Sequence, residues 1–175
     1  MSGEPLQWVF AYGSLMWNPG FVHEHAEAAV LHGFHRQLCV RSHIYRGTEE
    51  KPGLVFGLSR GGSCQGMAYG VAPARWDNTL AYLRARELVT DVYLETAVQV
   101  RLRDTGRQVQ AVTYVVDANH PQSLLKLPLA EIVALVRQGQ GIAGSNLDYV
   151  RNTWQQLKDL GLSDRGLDVL VRHLT

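Results

Sequence analysis

Between residues 98 and 115 the chain alternates twice about a turn. Val98, Val100 and Leu102 alternate with polar residues, Asp104-Thr105-Gly106 follows, and Val109, Ala111, Thr113 and Val115 alternate after it. A period of two puts successive side chains on opposite faces of a strand, and two such runs about a glycine turn make a β-hairpin. Other stretches fit strands as well: Trp8 to Ala11, Ala28 to Val40, and the pair Leu54 to Leu58 and Gln65 to Val71, with Gly47, Gly53 and Gly61-Gly62 read as the turns between them. Helical patterning is confined to Pro73 to Leu88, Pro128 to Gln138, Asn146 to Leu160 and Asp164 to Leu174. Ser145, three residues before Asp148, caps the third of these, and Gly161 ends it. The order is strands, helix, hairpin, helices. Without a βαβ rhythm, a doubly wound parallel sheet is disfavoured, and the expectation is an α+β fold with a mainly antiparallel, curled or barrel-like sheet.

With 175 residues the chain suits a single domain, residues 1–175, with room for a core, and 46% apolar against 19% charged residues fits a globular protein. No repeat, linker or low-complexity tract divides it. Seventeen basic and sixteen acidic side chains nearly cancel, which argues against nucleic acid or an anionic membrane as partner and for a small molecule. The start, Met1-Ser2-Gly3-Glu4-Pro5, is not a basic segment leading into an apolar one, and no apolar run reaches the roughly 18 residues of a membrane span, so a cytoplasmic protein is expected. Cys39 and Cys64 are read as reduced, half-buried thiols rather than a disulfide, a metal knuckle or a nucleophile.

Two features carry chemistry. Trp8-Val9-Phe10-Ala11 runs into Tyr12-Gly13-Ser14-Leu15, where a glycine at the end of a strand lets consecutive N–H groups converge on a carboxylate or an oxyanion. The second feature is Glu87. On the helix from Pro73 the apolar residues Trp76, Leu80 and Leu83 recur at spacings of four and three, and Glu87 comes four residues later on the same face. Burial and the negative end of the helix dipole both raise the pKa of such an acid, which suits a general base near neutral pH. The plainer alternative is a pair with Arg84 or Arg86, both otherwise read as solvated.

Other candidates are weaker. His23, His25, His32 and His35 lie close in sequence but lack the spacing of a metal site, so no metal is expected. Ser14 lacks the second glycine of a nucleophile elbow. Arg36, Arg41 and Arg46 read as solvated strand-edge charges, with a fork onto a substrate carboxylate as the alternative. The loop Gly139 to Asn146 opens a helix and could add N–H groups, but it lacks the spacing of a phosphate loop.

Four blocks in order resemble the ChaC-type, glutathione-specific gamma-glutamylcyclotransferases: Val9 to Trp17 with its YGSL loop, Arg46-Gly47 with Pro52-Gly53-Leu54, Tyr82 to Glu87, and Gly144 to Val150. The resemblance implies a small antiparallel β-barrel with flanking helices that converts glutathione into 5-oxoproline and cysteinylglycine with no cofactor and no metal. It also implies Glu87 as acid and base, and a glutamyl moiety lying against Phe10, Ala11, Tyr12, Gly13, Ser14 and Leu15. Tyr93 and Tyr149 are further substrate contacts on this view. The chain departs from the pattern of some members at Leu88 to Val92, where they carry a glycine pair, and at Val150, where the late block ends in leucine. Two other readings stay open: the same chemistry on other gamma-glutamyl peptides or amines, and a non-enzymatic regulator of cation transport.

Overall fold

The computed structural model describes residues 4–175; Met1-Ser2-Gly3, part of the opening stretch read above, lies outside them. Five strands, β1 (Gln7–Ala11), β2 (His25–Ser42), β3 (Gly53–Val71), β4 (Tyr93–Leu102) and β5 (Gln108–Val116), close into a barrel in the order β1-β3-β2-β4-β5. All neighbours are antiparallel except the closing pair, where Trp8 and Val9 of β1 lie parallel to Ala111 and Val112 of β5. Four helices flank it: α1 (Pro73–Glu87) between β3 and β4, then α2 (Leu129–Gln138), α3 (Asn146–Asp159) and α4 (Arg165–Leu174). Two-residue strands β6 (Gln140–Gly141) and β7 (Gly144–Ser145) pair just before α3.

The hairpin forms as its alternation requires, with β4 and β5 in register from Tyr93 opposite Val116 to Arg101 opposite Gln108. The apolar run of β1 is continuous because both of its faces are covered. Trp8, Phe10 and Tyr12 enter one buried cluster with Leu31, Leu58 and Val100, while Val9 and Ala11 enter another beneath the helices with Leu83, Val150 and Leu170.

The expected break at Gly61-Gly62 is absent. β3 runs unbroken for 19 residues against the 18 of β2, and the glycines bend the ribbon instead of reversing it. Gly61 and Gly62 take φ of 101° and 67°, Gly33 takes 94° on the opposite strand, and the register slips between His32 and Phe34. Those angles favour residues without a Cβ, and the slip is a β-bulge.

Two polar expectations also change. Arg36 is not a solvated edge charge: its side chain is 1% exposed, and Nη1 meets Asp164 Oδ2 at 2.7 Å at the start of α4. Its Nε and Nη2 donate to the carbonyls of Tyr12 and Gln65, each at 2.7 Å. Cys39 and Cys64 are fully buried rather than half-buried. Burial pushes their thiols up to about 12 and about 11. Among the described residues, no helix is long and apolar enough to cross a membrane.

Candidate active site

After Ala11 the backbone leaves the sheet and makes one 3-10 turn, Ser14–Met16. The first bond of that turn runs from Met16 N–H to Gly13 C=O at 2.9 Å, so the N–H groups of Gly13, Ser14 and Leu15 precede its bonding pattern. A Cβ added at Gly13 would find no heavy atom within 4 Å. The space beside it belongs to a cavity of about 380 Å³, which Phe10, Tyr12, Gly13, Ser14 and Leu15 line together with Glu87 and Tyr149. Ala11 does not line it. Its side chain alternates to the other face of β1 and is buried beneath the helices.

Glu87 closes α1, one turn after the fully buried Leu83, on the face that the apolar spacing indicates. Its side chain is 20% exposed. Burial raises the carboxyl pKa, and the neighbouring Arg86 guanidinium, with Nε 3.8 Å from Oε1, offsets part of that shift. The two arginines of this turn behave differently. Arg84 is solvated and forks onto Glu95, with Nε to Oε1 at 3.0 Å and Nη2 to Oε2 at 2.9 Å. Arg86 departs from the solvated reading: Nη2 donates to Ser14 Oγ and Nη1 to Asn18 C=O, both at 2.8 Å, which straps the end of α1 to the glycine loop. Nothing within α1 signals this, since at about 100° per residue Arg86 lies off the face that carries Leu83 and Glu87.

Tyr149 reaches the cavity because α3 is anchored at its first turn. Ser145 Oγ accepts the Asp148 N–H at 3.0 Å, as the spacing predicts. The buried Asn146 side chain brackets Leu54, accepting its N–H at 2.8 Å and donating to its C=O at 2.7 Å. A Cβ on Gly53 would come within 2.6 Å of Asn146 Oδ1, so this docking requires glycine there. One turn on, Tyr149 Oη accepts the Phe56 N–H at 3.0 Å, which leaves its own O–H to donate into the cavity. The Arg46 guanidinium lies over the ring, 5.1 Å from its centroid.

Tyr45, Tyr93 and Tyr114 also line the cavity; sequence reading named Tyr93 and missed the other two. Tyr114 falls between the alternating residues of β5, where a strand covered on one face only carries solvent-facing side chains, whereas Ala111 to Val116 are largely covered on both faces. Tyr12 and Tyr93 donate to the carbonyls of Tyr114 and Phe56 at 2.8 and 2.7 Å. Burial, with nearby tyrosines and Glu87, raises both phenols well above their ordinary range, and burial brings Tyr149 to about 12. All three are neutral donors at physiological pH.

The loop Gly139 to Asn146 does not reach the cavity. Ile142 and Ala143 donate instead to the carbonyls of Ile44 and Tyr45, which braces the segment behind Tyr45. Among the described residues, the histidines form no cluster of metal-ligating side chains; His25, for example, pairs with Glu27 at 2.9 Å.

A closed barrel carries one cavity whose wall holds a largely buried acid, a glycine loop and several phenols. The family model described as ChaC-like protein matches residues 7–175, and the chain belongs to that family. It is 36% identical, over 94% of its length and 71% of the relative's, to the glutathione-specific gamma-glutamylcyclotransferase of Escherichia coli K12. It is 32% identical to glutathione-specific gamma-glutamylcyclotransferase 1 of Mus musculus, over 94% of this chain and 76% of that one. A solved structure of the gamma-glutamyl cyclotransferase specific to glutathione from yeast shares the fold, with a TM-score of 0.87 over 98% of this chain and 96% of that chain at 21% identity.

Proposed function

We propose that this chain is a gamma-glutamylcyclotransferase that converts glutathione into 5-oxoproline and cysteinylglycine in the cytoplasm, with Glu87 as acid and base. The observation that carries the reading is the position of the Glu87 carboxyl, largely buried on the wall of the cavity that the Gly13 loop also lines. The names of the relatives in Escherichia coli and mouse support the substrate. Two free, buried thiols suit a reducing compartment.

The substrate supplies its own nucleophile. Its α-amine attacks its γ-carbonyl carbon, a C–N bond forms to close a five-membered ring, and the amide C–N bond to the rest of the peptide breaks. The protein therefore has two tasks: to fold the glutamyl chain onto itself and to move a proton from the attacking nitrogen of the free amine to the departing one. Consecutive N–H groups at Gly13, Ser14 and Leu15 suit the α-carboxylate or the oxyanion of the tetrahedral intermediate. The Tyr149 hydroxyl is a further donor. The ammonium loses two protons on its way to the lactam N–H: the first leaves the free amine that attacks, and Glu87 takes the second from the attacking nitrogen and returns it to the departing nitrogen, which a carboxyl with a raised pKa suits.

Glu87→Gln tests the reading. The variant is expected to fold and to bind glutathione but to lose turnover by at least about a thousandfold, at the middle of the range for a lost acid–base group. Near-normal release of 5-oxoproline would overturn the assignment.

A further inference from the structure

Of the three arginines that could fork onto a substrate carboxylate, the fold commits two. Arg36 is buried against Asp164, and Arg46 donates Nη1 to Ser145 C=O at 3.2 Å with its guanidinium over the Tyr149 ring. Arg41, near the end of β2, is the third. Its backbone is fixed, because its N–H donates to Gln122 C=O at 2.8 Å and Gln122 Nε2 donates to the Arg41 C=O at 3.1 Å. Its side chain is 38% exposed and, among the described residues, meets only Glu49: Nη2 lies 3.3 Å from the Glu49 carbonyl and 3.8 Å from its carboxylate, itself 68% exposed. An exposed pair at that separation contributes little, so an incoming carboxylate displaces it at small cost.

Arg41 lines a second cavity, of about 190 Å³, which adjoins the first across Tyr45, Val55, Arg86, Glu87 and Tyr93. The walls are mixed: Val40, Val89 and Val92 are apolar, while Ser42, Thr90 and Gln122 are polar. Two other basic side chains line it. Arg86 is committed to Ser14, Asn18 and Tyr82, and His43 has Nδ1 buried and Nε2 3.8 Å from the Glu49 carboxylate. Arg41 is therefore the cation there with donors to spare. Glu87 stands on the wall common to both cavities and Arg41 lines only the second, so an anionic group is repelled by the one and drawn to the other. Glutathione carries such a group. Cyclisation severs the amide bond beside Glu87, and the two residues that leave end in a carboxylate, at most about 7 Å beyond the departing nitrogen. With the glutamyl half in the cavity of the Gly13 loop, the leaving half enters the adjoining one.

We propose that Arg41 is a specificity residue of this enzyme, whose guanidinium forks onto the C-terminal carboxylate of glutathione in the second cavity. The inference rests on the glutathione reading above, and its test separates the two. Steady-state release of 5-oxoproline is measured for glutathione and for its C-terminal amide, in wild type, Arg41→Met and Arg41→Lys. The amide keeps the glutamyl half and loses the terminal charge. Methionine keeps an unbranched stem without the cation, and lysine keeps the charge without the fork. Wild type is expected to favour glutathione over the amide by about 10- to 100-fold in kcat/KM, the range for a hydrogen bond to a charged group. Arg41→Met is expected to lose that preference through a higher KM for glutathione, with kcat and the kinetics of the amide within about twofold of wild type, and Arg41→Lys to lie between. An equal fall for both substrates in Arg41→Met would make Arg41 merely structural. A wild type indifferent to the terminal charge, or an Arg41→Met that keeps the preference, would place the carboxylate elsewhere; each of these results overturns the proposal. A wild-type protein that releases no 5-oxoproline from either substrate would instead remove the reading beneath it.

Discussion

At the scale of single residues, Glu87 is set against two opposing influences: burial raises its pKa and the Arg86 guanidinium lowers it. Protonation disables a base, so kcat/KM is expected to fall as pH drops through an apparent pKa above the ordinary glutamate value of about 4.3. Arg86 favours the charged form, and Arg86→Met removes that influence. A pH–rate profile of Arg86→Met is therefore expected to carry its acid limb at higher pH than wild type, with a higher KM because Ser14 loses its strap. A limb that stays put or moves to lower pH would show that the arginine does not act on the acid. Glu87 was legible in the sequence because it violates a local pattern, an acid at the position where the apolar spacing of one helix calls for leucine. Arg86 was not, because what turns it inward is Ser14, 72 residues earlier, and no periodicity within α1 reports that. Ala11 shows the converse error: membership of a motif placed it in the cavity, while strand alternation takes its side chain away.

Elements meet unevenly around the barrel. The seam between β2 and β4 is short, with only Ala29 to Leu31 paired to Leu102 to Val100. Glu27, 4% exposed on β2, extends it: Oε2 accepts the N–H groups of Asp104 and Thr105 in the hairpin turn at 2.8 and 2.9 Å, while Oε1 pairs with His25. Burial alone would raise its pKa, but the bonds from His25, Thr105 and Asp104 outweigh that and hold it below the usual range. A lowered folded pKa means stabilisation that is present above the unfolded value and lost as pH falls through the folded one. Glu27→Gln is expected to destabilise the protein by about 1.5–3 kcal/mol at pH 7, the range for hydrogen bonds to a charged group, read from denaturant unfolding. The gap from wild type should narrow as pH falls below the ordinary glutamate range, and a gap independent of pH would exclude the charge as its source. The hairpin itself was legible because its alternation and turn are local. The unbroken β3 was not: Gly61-Gly62 reads as a turn, and only the 18-residue partner strand, with its own bulge at Gly33, turns those glycines into a bend.

For the molecule as a whole, closure brings the first strand beside the last, and no local pattern foretells a parallel contact between segments about a hundred residues apart. The Arg36–Asp164 pair fastens this arrangement, linking β2, the end of β1, β3 and α4 through one guanidinium. Asp164→Ala is expected to cost about 3–5 kcal/mol, because it leaves a buried cation without its counter-charge and α4 without its cap. Replacing both residues by leucine should cost less than the single change, as equilibrium unfolding of the two variants can decide. The two buried cysteines have a different bearing on the whole. Thiol–disulfide exchange needs a thiolate and a path for the attacking sulfur, and Cys39 and Cys64, 0% and 2% exposed with thiols near 12 and 11, offer neither. Native protein is expected to take up no label from a thiol reagent until it unfolds, and to keep full activity after incubation with oxidised glutathione and its removal; rapid labelling of the folded state would contradict this. A catalyst working on a thiol substrate then has no mixed disulfide of its own to form, and its rate follows the supply of reduced substrate rather than the redox poise of its surroundings.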